Sequence, residues 1–387
     1  MELKSAAKEK LNTTRGALVD LSHRIHANPE LGFEERLASA WLCEMLADAG
    51  FKVEAGICDM PTAFIARTGS GPLHVAICAE YDCLPGIGHA CGHNLIAAMS
   101  IGAGIAAAKI ADEAGLTISV IGTPAEEIGD SSGKILLLER GGFKGVHAAM
   151  MVHPCPFDAL DVPTAAIATF DAHYTGKESH AGFAPELGIN AADALTIAQT
   201  AIGLLRQHIH PTDRVHGIIT HGGDAPNVIP AHTKARYMVR AKTIGDLDDI
   251  RDKVFRCFEA GALATGSKLE IVGGKKPYAE LHHDPRISTL YGRNAESLGR
   301  SFINLPTGSF GGSTDMGNVS LAIPSIHPMI GIDSLPAVNH QPEFTAHCIK
   351  PVADQAIMDA ALAMAWTAID LASDQTLRNE LISSKRD

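Results

Sequence analysis

The stretch Val75-Ala76-Ile77-Cys78-Ala79-Glu80-Tyr81-Asp82-Cys83-Leu84-Pro85-Gly86-Ile87-Gly88-His89-Ala90-Cys91-Gly92-His93-Asn94 decides the reading of this chain. It opens as an unbroken apolar strand, the pattern of a strand covered on both faces. It then runs straight into carboxylates, a thiol and imidazoles. Two further segments repeat the design: Ser119-Val120-Ile121-Gly122-Thr123-Pro124-Ala125-Glu126-Glu127, and Ala149-Met150-Met151-Val152-His153-Pro154. In open α/β sheets, ligands bind beyond the carboxyl ends of the strands. The three polar ends are therefore expected to gather on one rim.

Outward from these segments, strands alternate with helices, as in an α/β layer. A helix is expected over Glu34 to Ala49, with Leu37, Trp41, Leu42, Met45 and Leu46 on one face and Gly50 as its C-terminal stop. Strands are expected at Thr62 to Ala66, Leu73 to Cys78, Leu116 to Ile121 and Ala148 to Val152. The pattern changes near residue 168. Strand Ala168 to Tyr174, helix Ile189 to Gln207, strands Arg214 to Thr220 and Thr233 to Arg240, helix Leu247 to Ala264 and strand Leu269 to Val272 follow one another. That order, β-α-β-β-α-β, is that of a ferredoxin-like unit. Gly273-Gly274-Lys275-Lys276-Pro277 reads as the linker out, and the chain ends in a helix from Lys350 to Ala372. The fold expected is α/β: a mixed-sheet domain with helices on both faces (residues 1–167 and 278–387), interrupted by a smaller ferredoxin-like α+β domain (residues 168–277).

Composition narrows the function. The chain has 387 residues, 46% of them hydrophobic and 20% charged, which is the balance of a globular protein rather than a disordered one. Its formal charge of −12 argues against a nucleic-acid partner, which needs a basic face. The start, Met1-Glu2-Leu3-Lys4-Ser5, lacks the apolar core of a secretory leader. No apolar run approaches the ~20 residues of a membrane span. Leu95 to Ile110 comes closest, and reads as a buried helix. The eight cysteines show no disulfide-framework spacing and are expected to be reduced thiols, in keeping with a cytoplasmic protein. Cys43 and Cys257, within amphipathic helices, read as core or near-surface thiols. The 19 histidines direct attention to metal sites. His208, His210, His216 and His221 are close in sequence, but their strand and loop placement argues against a second metal site.

Cys91 and His93 offer a thiolate and an imidazole, both good ligands for borderline-soft divalent metals. Alone, the pair reads more readily as a glycine-flanked loop than as a metal site. Glu126 and Glu127 are adjacent, so in extended chain they point in opposite directions, one to a metal and one to a substrate; a solvated acidic pair at a helix start is the competing reading. His153 is either a ligand or a satisfied core histidine. His340, in Ala337-Val338-Asn339-His340-Gln341-Pro342, is on its own merely a turn residue.

Together these residues resemble the M20 family of metal-dependent amidohydrolases and peptidases, along essentially the whole chain. The motifs are Glu80 to Asn94, Pro124-Ala125-Glu126-Glu127, Val152-His153-Pro154, Gly176-Lys177-Glu178-Ser179-His180-Ala181-Gly182 and Asn227-Val228-Ile229-Pro230, closed by His340. The closest branch contains aminoacylase-like and hippurate hydrolases and dipeptidases. Glu80-Tyr81-Asp82-Cys83, where many relatives have Asp-x-Asp-Ala, and Asn94, where many have Asp, point to its dipeptidase and aminobenzoyl-glutamate side. The resemblance implies two divalent ions per subunit, zinc foremost with manganese, cobalt or nickel admitted. Cys91, His93, Glu127, His153 and His340 would hold them. It implies Glu126 as general base and acid, His180 and Asp82 as further catalytic residues, and Asn227, Arg240 and Ser313 facing substrate. The inserted domain would serve as lid and homodimer contact, with His180 often reaching the partner's site. The activity implied is hydrolysis of an amide bond in a small N-acyl amino acid or dipeptide. Ester hydrolysis, N-deacetylation or metal-holding without turnover are the alternatives.

Overall fold

The computed structural model describes residues 2–305 and 312–384, so Met1 and Gly311 lie outside the described residues. The strands are β1 (Lys52–Ala55), β2 (Phe64–Thr68), β3 (Leu73–Ala79), β4 (Leu116–Gly122), β5 (Ala148–Met150), β6 (His153–Cys155), β7 (Ala166–Thr175), β8 (Arg214–His221), β9 (His232–Ala241), β10 (Lys268–Gly273), β11 (Ser325–Ile326) and β12 (Met329–Gly331). Six of them form a mixed sheet in the order β1-β2-β4-β3-β5-β11. β4, β3, β5 and β11 run parallel at its centre and one edge, while β1 and β2 are antiparallel.

Alternation along β3 shows why the sheet is covered on both sides. Val75 and Ile77 enter one core with the helices Glu2–Ala27, His93–Ala108 and Pro351–Ser373. Ala76 and Cys78 enter another with Leu137, Met316 and Val319. Successive strand residues point to opposite faces, so an apolar run on a central strand feeds two cores at once. Helices lie on both faces, as expected.

Helix His93–Ala108 threads the first core. A Cβ at its Gly102 would stand 2.9 Å from Leu18 and 3.0 Å from Ala361. Small residues thus let the first and last long helices close on it. Pro351–Ser373 is the longer apolar helix, not Leu95 to Ile110: its best window has a mean hydropathy of 1.3, enough by length and composition to cross a membrane, and 78% of that window is buried within the protein. Asp354, Asp359 and Asp370 interrupt its apolar runs and hid it from a run-based reading.

The second sheet is fully antiparallel, in the order β10-β7-β9-β8. That is the ferredoxin-like arrangement, with two helices packed on one face. Helix Ala191–Leu205 starts at Asn190, whose side chain accepts from the Ala192 amide. Helix Ile244–Thr265 starts at Thr243, which accepts from the Asp246 amide, and stops at left-handed Gly266. The expected strand Ala148 to Val152 stops short, at Met150. β5 stays in the six-stranded sheet, and His153 begins β6, which leaves it to pair with β12. This turns His153 toward the rim.

Candidate metal centre and active site

The parallel strands deliver their polar ends to one place. β3 ends at Ala79, so Glu80 and Asp82 follow directly, and β4 ends three residues before Ala125. Gly92 then lets the chain turn between Cys91 and His93: its φ is 81°, and a Cβ there would lie 2.5 Å from Pro154. A side chain is excluded on both counts. His93 opens its helix, fully buried, and its Nδ1–H donates to Asp82 Oδ1 at 2.9 Å. That bond fixes the tautomer and leaves Nε2 free as a ligand. Asp82 Oδ2 accepts the Glu127 amide at 2.9 Å, so one buried carboxylate holds both His93 and the Glu127 backbone. His153 is set the same way: Nδ1–H donates to the Pro154 carbonyl at 2.8 Å, and Nε2 lies 3.3 Å from Cys91 Sγ.

Glu126 and Glu127 do not point apart. Both carboxylates lie within 4 Å of His93 Nε2, at 3.9 and 3.8 Å. The segment is bent rather than extended, because Ala125 takes a left-handed φ of 60°. A buried carboxylate ninety residues away holds it there: Glu35 Oε1 accepts the Ala125 amide at 2.8 Å. The Tyr278 hydroxyl donates to the Glu126 carbonyl. His340, from the loop before helix Pro342–His347, brings Nε2 to 3.5 Å from Glu127 Oε1. Asn339 anchors that loop to the Pro154 carbonyl at 3.0 Å.

Three donor groups result, each with ligand atoms within 4.8 Å of one another: Cys91, His93 and His153; Cys91, Glu127 and His340; and Glu80, His93 and Glu126. His93 Nε2, Glu127 Oε1 and Glu80 Oε2 are buried with no hydrogen-bond partner. Unpaired buried polar atoms are costly, and divalent cations would satisfy all three. The donor set of thiol, imidazole and carboxylate suits Zn²⁺ and its neighbours.

The electrostatics point the same way. Burial, then Glu80 and Glu127, pushes the Glu126 carboxyl well above the usual range. Burial and Glu127 likewise push up the Cys91 thiol. Burial alone would lower His93, but Asp82, Cys91 and Glu80 overcome it and hold the imidazole well above its ordinary value. A cation held by these donors would draw the Glu126 carboxyl and the Cys91 thiol back down.

Beneath the rim lies a cluster that sequence reasoning missed. Lys134, fully buried, donates to Glu80 and to Asp315 Oδ1, the latter at 2.6 Å. Ser132 Oγ donates to Asp315 Oδ2 at 2.6 Å. Burial opposes the Lys134 charge, but the two carboxylates more than compensate and raise its pKa. Glu80 is thereby held under His93, 3.4 Å from Nε2. A lysine in an apolar helix start carries no sequence signal for this.

The site opens into a cavity of about 620 Å³, a size suited to a small molecule. Cys91, Glu126, His153, Arg240, Ser313 and His327 are among its lining. Arg240, on β9, donates to Ser313 Oγ at 3.1 Å, and no carboxylate lies within ion-pair distance of it among the described residues. His180 and Asn227 are neighbours of each other, through the Ala181 amide and the His180–Val228 bridge, but neither lines the cavity. Of the sequence-close histidines, His221 stacks on His232, ring centroids 5.2 Å apart.

Residues 164–265 match the peptidase dimerisation domain of the M20 family. The chain is 39% identical to the mouse (Mus musculus) Xaa-Arg dipeptidase, over 95% of its own length and 89% of that protein's. It is 34% identical to one of the subunits of the p-aminobenzoyl-glutamate hydrolase of Escherichia coli, over 68% of this chain and 58% of that one. Among solved structures, it resembles a dinuclear metal-binding M20 peptidase of Bacillus subtilis, with 22% identity, a TM-score of 0.68 and coverage of 94% and 99%. It also resembles an aminobenzoyl-glutamate utilization protein of Klebsiella pneumoniae, with 16% identity, a TM-score of 0.76 and coverage of 95% and 98%. Likeness of this extent defines the class, a metal-dependent amidohydrolase. The chain belongs to the M20 peptidase family.

Proposed function

We propose that the chain hydrolyses the amide bond of a small dipeptide or N-acyl amino acid, using two divalent cations and Glu126. The observation that carries this is the pair of donor groups sharing Cys91, directly beside Glu126 on the cavity wall. Cys91, His93 and His153 would hold one ion, and Glu127 and His340, with Cys91 within reach, would hold the other. Zinc fits this donor set best, and manganese, cobalt or nickel are also accommodated. When bound, the ions supply Lewis-acid activation of a water nucleophile and of the amide carbonyl.

The chain's own residues do the rest. Glu126 takes the proton of the attacking water and returns it to the leaving amine. Asp82 orients His93 and the Glu127 backbone. Arg240, presented by Ser313, pairs with a substrate carboxylate. His180 and Asn227 act from the partner subunit, which accounts for their distance from the cavity in one chain.

Several features support a homodimer built by residues 168–277, the unit inserted between residues 1–167 and 278–387. The dimerisation-domain match lies there. β8 is an edge strand with Ile218 and Ile219 exposed, and Phe183 beside His180 is 86% exposed. The reducing cytoplasm is the proposed compartment, supported by eight unpaired cysteines.

The test is a screen of protein reconstituted with Zn²⁺ or Mn²⁺ against matched dipeptides, N-acyl amino acids and esters. Amide hydrolysis abolished by chelator is expected. Cleavage of esters alone, or activity unaffected by chelator, would refute the reading.

A further inference from the structure

The cavity wall holds a histidine that none of the motifs above contains. His327 follows β11 directly and is 2% exposed, yet neither of its ring nitrogens has a hydrogen-bond partner. The liganding histidines differ: His93 is set by Asp82, and His153 by the Pro154 carbonyl. His327 instead meets His153 edge to face, with ring centroids 5.5 Å apart and planes at 76°. Its neighbour His283 cannot relieve it, because His283 Nδ1 already accepts the His327 backbone amide at 3.4 Å and Nε2 faces the Val162 carbonyl at 3.4 Å. Nor does His327 join any of the three donor groups. A buried, unpaired imidazole on a cavity wall calls for a partner that the cavity itself receives.

The surroundings say which part of a ligand that is. Arg240 pairs in register with Ile167, Ile167 bridges to Tyr278, and the Tyr278 hydroxyl holds the Glu126 carbonyl. Arg240 thus stands on the Glu126 side. His327 stands against His153. If Glu126 delivers its proton to the leaving amine, the amine half of the substrate lies toward Arg240, which assigns the acyl half to the wall carrying His153 and His327.

We propose that His327 is a specificity-determining residue that hydrogen-bonds the free amino group on the acyl half of a dipeptide, while Arg240 takes the carboxylate of the other half. The proposal rests on the amide-hydrolase reading and selects dipeptides within it. Val162, Phe157 and Met329, which also line the cavity, are apolar. A substrate with a plain alkyl acyl group would fill the cavity and leave both ring nitrogens unpaired. Sites built around a polar partner discriminate strongly against analogues lacking it.

The experiment compares a dipeptide with its deaminated counterpart, using wild type, His327→Leu and His327→Asn, each loaded with zinc. His327→Leu should lower kcat/KM for the dipeptide by about 10–100-fold, chiefly through KM, and leave the deaminated substrate within about threefold. His327→Asn, which keeps polar groups, should recover part of the loss. Metal content, measured by elemental analysis, should not change. Equal losses on both substrates, no loss on either, or a fall in metal content would each overturn the proposal. Calorimetric binding of the same two compounds to Glu126→Gln protein, with and without His327→Leu, reads the contact without turnover. Selective weakening of the dipeptide supports it, and equal affinities contradict it. Absence of hydrolysis by wild type would count against the amide-hydrolase reading, while the calorimetry still decides the role of His327.

Discussion

Replacing Glu35 by Gln should make stability respond to pH in a way that can be worked out from its surroundings. Glu35 is fully buried just before helix Arg36–Asp48, and its Oε1 accepts the Ala125 amide. Burial, and then the negative charge of Asp82, raises its pKa from 4.5 to about 7. The folded chain therefore keeps a proton that the unfolded chain releases between those values. The stability this contributes is fully present below pH 4.5 and is lost as pH rises through 7. The displacement corresponds to about 3 kcal/mol across that window. Glutamine cannot ionise but keeps an oxygen for the Ala125 amide. Glu35→Gln should therefore gain up to about 3 kcal/mol relative to wild type as pH rises from 4.5 to 8. The assay is urea unfolding of the metal-free protein at several pH values, which avoids cations that would draw the carboxyl down. A difference between the two proteins that stays constant with pH would refute the reasoning.

Glu126→Gln should keep its metal and lose roughly 10²–10⁴ in kcat, and turnover near wild type would remove Glu126 from the base role. Lys134→Met leaves Glu80 and Asp315 buried without a counter-charge, so the urea midpoint should fall by the equivalent of about 3–5 kcal/mol. Adding Glu80→Gln and Asp315→Asn should restore most of that loss. If His180 acts across the dimer, His180→Ala and Glu126→Gln subunits are each inactive alone. Mixed one to one they should regain roughly a quarter of the wild-type sites under statistical pairing. No recovery on mixing would place His180 in the site of its own chain.

What was legible in the sequence followed from strand direction. β3, β4 and β5 run parallel, so Glu80, Asp82, Glu126, Glu127 and His153 had to emerge at one rim. Cys91 and His93 came with them through a glycine turn. The β-α-β-β-α-β order of the second sheet was readable from period alone. His340 was not: a loop residue far along the chain carries no period, and only the family resemblance marked it. The direction of Glu126 and Glu127 was misjudged because Ala125 takes a left-handed conformation stabilised by Glu35, ninety residues earlier. Lys134, Glu80 and Asp315 are brought together only by tertiary packing, and so is His327. His180 and Asn227 are neighbours of each other outside the cavity lining.

The central claim is that Cys91, His93, Glu127, His153 and His340 together hold a pair of cations. Metal titration of the apoprotein followed by calorimetry and elemental analysis tests it most directly. Wild type should take up two divalent ions per chain, and Cys91→Ala, which removes the donor common to both groups, should weaken both. Uptake of two ions by Cys91→Ala with unchanged affinity would contradict the account.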